Sequence, residues 1–438
     1  HRSSLLLSDG LAGVALELEI EMDAQTGVAS FRNRLINHGP SILTVDWLAA
    51  GCLPLEHDEL LAFGGRWANE GRPYRLRVPG GIWASENRTG RTSHHAPPLL
   101  AVGEPGFSDQ HGAVIGLHLA WSGNHRLLVE RLRDGRVQMQ AGELFLPGEM
   151  TLASGEAYQS PTLYAARSDT GLNGLSDLFH PFVRHQILGG RLSGKPRPIH
   201  FNSWEAVYFD HNLEKLSQLA DVAASIGVER FVLDDGWFGA RRNDLLGLGD
   251  WVVSKDVWPE GLGPLIEKVH ASGMEFGLWF EGEMLNADSD VFRAHPDWIL
   301  KVGDRVPPEG RHQHVVDITN PDAYKHLFDQ VDLVLSENDI AYIKWDHNKF
   351  LLEPAHDGIP AVHKQTEAIY RFFDELKQRH PGLEIESCAS GGGRIDLGMV
   401  QHADRFWTSD CNDAADRQRI QRYTTQRIPE SAIEGLEP

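Results

Sequence analysis

The sequence predicts a two-part α/β chain: an N-terminal antiparallel β-sandwich followed by a (β/α)8 TIM-type barrel. Three observations carry that expectation. The first ~170 residues hold short segments in which apolar and polar residues alternate, the period of half-buried strands. From Ile199 onward, short apolar runs alternate with amphipathic stretches, repeating about every 30–45 residues as parallel βα units do. Almost every one of those runs ends in a charged residue or a tryptophan, and a barrel gathers its strand ends at one face.

Residues 1–170 are expected to form the sandwich. "VALELEIEM" (Val14–Met22) alternates apolar and acidic positions, and "ASFRNRLIN", "AVIGLHLAW" and "HRLLVERLR" share the habit, separated by Gly, Asn and Asp turns. Many short strands joined by polar turns suit an antiparallel sandwich. Residues 171–198 are expected as a connector, with "GLNGLSDLFHPFVRHQI" helical and "SGKPRP" a linker.

Residues 199–428 are expected as the barrel and 429–438 as an irregular tail. "IHFNSWEAV" opens it. "NLEKLSQLADVAASIG" follows, with Leu213, Leu216, Leu219, Ala223 and Ile226 at helical spacing, Asn212 as N-cap and Gly227 just past the end. The strands "RFVLDDGW", "EFGLWFEGE", "HVVDITN", "AYIKWDHN", "LEIESCASGGG" and "DRFWTSD" succeed it, interleaved with the helical "PLIEKVHASG", "AYKHLFDQVDLVL" and "EAIYRFFDELKQR". The strand ends carry Trp204 and Glu205, Asp234 and Asp235, Trp279, Asp317, Lys344 and Asp346, Cys388, and Asp410. "AADRQRIQRYTTQ" reads as the helix after the seventh strand. No eighth strand is visible, and both ends of the chain read as cut.

Composition narrows the function. A net charge of −21 disfavours nucleic acid and anionic membrane as partners and suits a neutral small molecule. Three cysteines, Cys52, Cys388 and Cys411, make no disulfide framework. No apolar run reaches the ~18 residues of a membrane span, and no signal peptide opens the chain, so the expected location is the cytoplasm. His312, His314 and His347 lack ligand spacing with a carboxylate, so no metal site is expected.

The rim residues suggest chemistry that needs two carboxylates. Lys344 precedes Asp346 by two positions, so both side chains share a barrel face, and an ammonium there keeps the carboxylate ionised. Asp410 has no basic residue close before it except Arg405 and more easily keeps a proton. Glycoside hydrolysis uses such a pair. "DDGW" and "LWF" add hydroxyl-binding carboxylates and aromatic platforms. Each residue also has a plainer reading. A strand-end Asp is commonly the N-cap of the next helix, Trp237 and Trp279 can be core, and Cys388 is a small polar contact. "SGGGR" (Ser390–Arg394) lacks the Lys-Ser/Thr of a phosphate loop.

Taken together, "WEAVYFD", "VLDDGWFGARRND", "LGDWVVSKDVWPEGL", "FGLWFEGEM", "HPDWIL", "YIKWDHN", "CASGGGR" and "WTSDCNDAADRQRIQ" resemble the bacterial α-galactosidases of glycoside hydrolase family 36. "GGRWANE" and "SENRTGRTSHH" resemble that family's β-sandwich domain more loosely. The resemblance implies a retaining enzyme acting on terminal α-D-galactosyl groups, with Asp346 as nucleophile and Asp410 as general acid/base. It implies that Asp234, Asp235, Arg311 and Lys344 bind galactose hydroxyls, and that Trp204 and Trp279 line the pocket. Cys388 and Gly391 would lie beside the 2-hydroxyl. It implies no cofactor, and an assembly that is often tetrameric. Departures are Gly282 in "FEGE", where the family has Pro and where a looser loop is expected, and His347 in place of Met. The eighth strand and C-terminal β-domain are missing from the pattern. A related α-glycosidase, such as an α-N-acetylgalactosaminidase, and an inactive sugar-binding fragment are the alternatives.

Overall fold

The structure, a computed structural model, describes residues 1–189, 196–426, 428–429 and 432–433. It divides into two compact units. The first comprises His1–Ser193, Gly391–Gln401 and Thr408–Glu434; the second comprises Gly194–Ser390, His402–Trp407 and Gly435–Pro438. Much of the expected linker (190–195) and most of the expected tail (429–438) lie outside the described residues.

Among the described residues the named strands of the first unit pair antiparallel. Eight strands run in the order Arg2–Asp9, Val14–Met22, Ala29–Asn37, Leu163–Ser168, Val114–Leu119, Leu99–Gly103, Glu59–Arg66, Asn69–Arg77, and Ala157–Gln159 adds to Ala29–Asn37. A four-stranded sheet orders Gly51–Leu55, Val137–Glu143, His125–Arg131 and Gly81–Asn87. The two sheets meet where Gly51 approaches Leu163 and Phe31. Alternation sets the register: Glu17 and Glu19 of "VALELEIEM" stand opposite Arg34 and Arg32 of "ASFRNRLIN", favourable cross-strand pairs on the open face. The expected connector is helical over Gly171–Phe182 and continues as a π-helical turn over Val183–Ile187.

The later segments of this unit complete it. The helix Ala414–Thr425 is capped by Asp413, which accepts from Ala415 N and Asp416 N. Its Tyr423 ring lies 5.8 Å from Phe63.

The second unit is built on a parallel sheet of six strands: His200–Asn202, Arg230–Leu233, Glu275–Phe280, Tyr342–Trp345, Glu384–Ser387 and Arg405–Phe406. Four longer helices follow strands, Leu213–Ser225, Gly263–Ala271, Pro321–Glu337 and Val362–Arg379. Caps start two of them, Asn212 where the sequence expected one. Asn212 accepts from Lys215 N, and Asn320, preceding Pro321, accepts from Asp322 N and Ala323 N. The first helix is rotated from the expected face: it buries Leu216, Ala220 and Ala223, while Leu213 and Ile226 are exposed.

One strand belongs elsewhere. The start of "HVVDITN", with Gln313 before it, forms the strand Gln313–Val315, which pairs antiparallel with Met284–Asn286. Its expected place in the parallel sheet is filled because Gly277–Phe280 pairs directly with Tyr342–Trp345. Six strands are therefore parallel where seven were expected. Among the described residues the sheet is an open half-barrel, not a closed ring of eight.

The pleat sorts the strand residues. Trp345 contacts the rings of Phe372 and Phe373 on the covering helix. Tyr342 and Lys344 take the other face. There Tyr342 meets His200 and Arg230, and Lys344 reaches Asp234. Among the described residues no helix is long and apolar enough to cross a membrane.

Candidate active site

Asp346 sits one residue past the strand Tyr342–Trp345 and is buried. Three donors hold its carboxylate. His347 N donates to Oδ1 at 2.8 Å, Ser390 N to Oδ1 at 3.3 Å and Asn348 Nδ2 to Oδ2 at 2.7 Å. Burial by itself pushes this carboxyl up. The Lys344 ammonium, the Asn348 amide, Arg311 and the His347 N–H together outweigh it, and the net shift is down. The arrangement keeps an ionised carboxylate in a dry setting, which is what a nucleophile needs.

The strand ends of the first three βα units supply the rest of this cluster. Asp234 Oδ2 accepts from Asn202 Nδ2 at 2.7 Å and from Lys344 Nζ at 3.2 Å. Its Oδ1 accepts from Asp235 N. Asp235 turns to Arg241, whose Nε and Nη2 both reach its carboxylate, at 3.0 and 2.8 Å. Burial raises the Asp235 carboxyl in spite of Arg241. Adjacent aspartates thus divide the work: one faces Lys344, and the other is committed to a buried ion pair. Sequence reading assigned both to galactose hydroxyls while keeping open that Asp235 turns inward, and passed over Arg241, although "DDGWFGARRND" contains it.

The remaining expected residues fall at several depths. Trp279 is 3% exposed and packs on Phe238 and Trp251. Trp204 opens a short helix, Trp204–Val207, with its ring edge against Tyr208 and Phe209. Arg311 and His312 both have positive φ, 55° and 59°, a strained pair of the kind that clusters at functional sites. Arg311 bears electrostatically on Asp235, Glu281 and Asp346. Cys388 is buried, with its N–H donated to Trp345 O. Asp317 turns away from this group. It accepts from Thr319 and pairs with His356, shaping the turn before the next helix.

Glu281 is a member that sequence reading missed, though it stands two positions after Trp279 in the quoted "FEGE". Its Oε1 accepts from Asn348 N at 2.7 Å and its Oε2 from Gln313 Nε2 at 3.0 Å. Burial first, and then the Asp346 charge, push its carboxyl up to about 7. Gln313 Oε1 beside it is buried without a partner among the described residues. Reversing that amide lets Oε1 accept a proton carried by Glu281.

A pH dependence follows. A carboxyl raised from 4.5 to about 7 contributes stability that is present below pH 4.5 and is lost as pH rises through 7. Glu281→Gln mimics the protonated form. It is expected to gain on the parent between pH 5 and pH 8, by up to about 3 kcal/mol at pH 8. Thermal melts at the two pH values check this, and an equal loss at both would refute it.

The expected loosening at Gly282 does not occur. A Cβ there would lie 2.4 Å from the Trp345 ring, so the loop closes tightly on Trp345, which also donates to Glu283 Oε1.

Asp410 and Gly391 lie in the first unit. Asp410 Oδ2 accepts from Trp67 Nε1 at 2.7 Å. The preceding Ser409 Oγ donates to buried Glu70 Oε2 at 2.6 Å. Gly391 has φ +75°, and a Cβ on it would come within 2.7 Å of Asp410 N and 2.8 Å of Glu70 Oε1. Glycine is therefore required there by the close approach of two segments. Among the described residues no group of three or more His, Cys, Asp or Glu is placed to hold a metal.

A parallel half-barrel with a buried carboxylate at a strand end and clustered acids and tryptophans on neighbouring strands is the kind of scaffold on which glycoside hydrolases place their carboxylates. The chain belongs to glycoside hydrolase family 36: the Melibiase family model matches residues 157–435, and the "Glycosyl hydrolase family 36 N-terminal domain" model matches residues 1–153. It is 44% identical to an Escherichia coli α-galactosidase over 430 residues, covering 97% of this chain and 60% of the relative. It is 34% identical to α-galactosidase AgaA of Geobacillus stearothermophilus over 443 residues, covering 98% of this chain and 60% of the relative. The AgaA crystal structure superposes with a TM-score of 0.94, covering 99% of this chain and 62% of AgaA. The chain thus spans about three fifths of the length of these relatives.

Proposed function

We propose that this chain carries the galactose-binding and catalytic groups of a retaining, exo-acting α-galactosidase. It would release terminal α-D-galactosyl groups from oligosaccharides such as melibiose or raffinose. The observation that carries the reading is the Asp346 carboxylate, fixed by three donors and kept ionised beside Lys344. Structures of substituted AgaA variants in complex with raffinose and with stachyose support the substrate class.

In this reading Asp346 attacks the anomeric carbon while Asp410 protonates the departing oxygen. The glycosidic bond breaks and a galactosyl–Asp346 ester forms. Asp410, now ionised, takes a proton from water, which displaces the ester and returns both carboxyls to their starting states. Such a mechanism places the two carboxyls about 5–5.5 Å apart. Asp234, Lys344 and Arg311 hold hydroxyls. Trp204 and Trp279 bound the sugar, Cys388 and Gly391 flank the 2-hydroxyl, and Asp235 acts through Arg241. No cofactor takes part.

The test is release of nitrophenol from the α-galactoside and from the α-N-acetylgalactosaminide. Turnover is expected on the first, with at least about a hundredfold preference over the second, because an acetamido group needs room and hydrogen-bond partners of its own. The reverse preference would point to an N-acetylgalactosaminidase. Binding of galactose without turnover would leave a sugar-binding fragment.

A further inference from the structure

The hairpin turn in "GGRWANE" has no part in the mechanism above, yet three of its residues bond to the segment that carries Asp410. All of these groups lie within the first unit. The strands Glu59–Arg66 and Asn69–Arg77 pair up to the turn, with a bulge between Gly64 and Arg66. At the turn Ala68 takes φ 55°. Trp67 Nε1 donates to Asp410 Oδ2 at 2.7 Å. Asn69 Oδ1 accepts from Arg419 Nη2 at 2.9 Å, on the helix that follows Asp410. Glu70 accepts from Ser409 Oγ and, at 3.4 Å, from Gly392 N.

The neighbours of Asp410 are pinned as well. Arg417 Nη1 donates to the carbonyls of Ser409, at 2.7 Å, and Cys411, at 3.4 Å. Cys411 N donates to Ser409 Oγ. Trp67 itself is 57% exposed. A large aromatic residue left that open contributes little burial, so its hydrogen bond is the more informative feature.

We infer that Trp67 is a positioning residue for the acid/base: its indole N–H holds Asp410 Oδ2 as an acceptor, so that Oδ1 carries the transferable proton. The indole is a donor only, so it cannot take that proton, and it stabilises the ionised carboxylate after the proton has left. Asn69 and Glu70 fix the turn that aims it. The inference rests on Asp410 being the general acid/base.

The sign of the pH effect follows. A donor on the charged form lowers the pKa of its acceptor, and the alkaline limb of kcat/KM reports the essential acid. The charged or titratable groups near Asp410 among the described residues of this unit include Glu70, which burial pushes up; His94, whose Nε2 is 3.8 Å from Glu70 Oε1; the adjacent Cys411; Arg66, which donates to Trp67 O; and Arg417 and Arg419. Trp67→Phe leaves all of them in place and keeps an aromatic ring at the turn.

The experiment compares the full chain with Trp67→Phe, using the pH profile of kcat/KM and the 13C carboxyl titration of Asp410, assigned by its disappearance in Asp410→Asn. The expected result is an upward move of the alkaline limb and of the carboxyl titration by about half to one pH unit. A purely structural role for Trp67 would lower kcat or stability and leave both in place. Unmoved titrations in a folded Trp67→Phe, with Asp410→Asn inactive, would overturn this inference alone. Full activity in Asp410→Asn would overturn the acid/base assignment and this inference with it.

Discussion

Asp346→Asn is expected to lose at least about 10⁴-fold in turnover of an α-galactoside while remaining folded. An amide oxygen at Oδ1 still accepts from His347 N and Ser390 N, so the local backbone keeps its bonds. What is lost is the carboxylate that the proposed mechanism uses as its nucleophile. The Asn348 amide, which donates to Oδ2, then faces a second donor, while its own oxygen is already engaged by Ser390 Oγ. Lys344 keeps Asp234 as a counter-ion. Galactose binding by calorimetry should therefore survive within about tenfold while turnover vanishes.

A chemical rescue makes the role specific. In Asp346→Gly, azide attacking from the vacated face should yield β-galactosyl azide, the product inverted relative to the α-galactoside. Recovery of the α-azide, or full activity in Asp346→Asn, would remove Asp346 from the nucleophile's place.

Arg241→Met is expected to cost about 3–5 kcal/mol of stability at neutral pH. Arg241 and Asp235 are both buried, and the guanidinium also donates to Asn286 Oδ1 and Leu246 O. Asn286 Oδ1 keeps Leu248 N as a donor, so the principal loss is the charge left on Asp235. Burial already raises that carboxyl, and removing Arg241 raises it further. A raised carboxyl gives stability that is present below its unfolded pKa and lost as pH rises through its folded one. The deficit should accordingly be smallest near pH 4 and largest at neutral pH.

Denaturant unfolding of Arg241→Met and of Arg241→Met/Asp235→Leu separates charge from shape. The double variant is expected to recover most of the loss, since an apolar pair of similar volume commonly replaces a buried ion pair at little cost. A single-variant loss below about 1 kcal/mol would mean that Asp235 finds another partner.

The sequence by itself determined the order of the architecture and the position of most of the strand-end groups. Those features are local. Period-two alternation paired Glu17 with Arg34, Asn320 and Pro321 began a helix where a cap and a ring together favour one, and Lys344 shared a face with Tyr342 because pleated residues repeat every second position. Tertiary structure alone decided pairings between distant segments. Gln313–Val315 joined Met284–Asn286 because its expected neighbours were already paired with each other. Asp234 met Lys344 while Asp235 met Arg241, although their sequence contexts are nearly the same. Trp67 reached Asp410 across most of the chain's length, and Glu281 acquired its raised carboxyl from burial beside Asp346. Residue type and spacing encode periodicity and caps, whereas burial and the partner across a fold arise only once the chain has closed on itself.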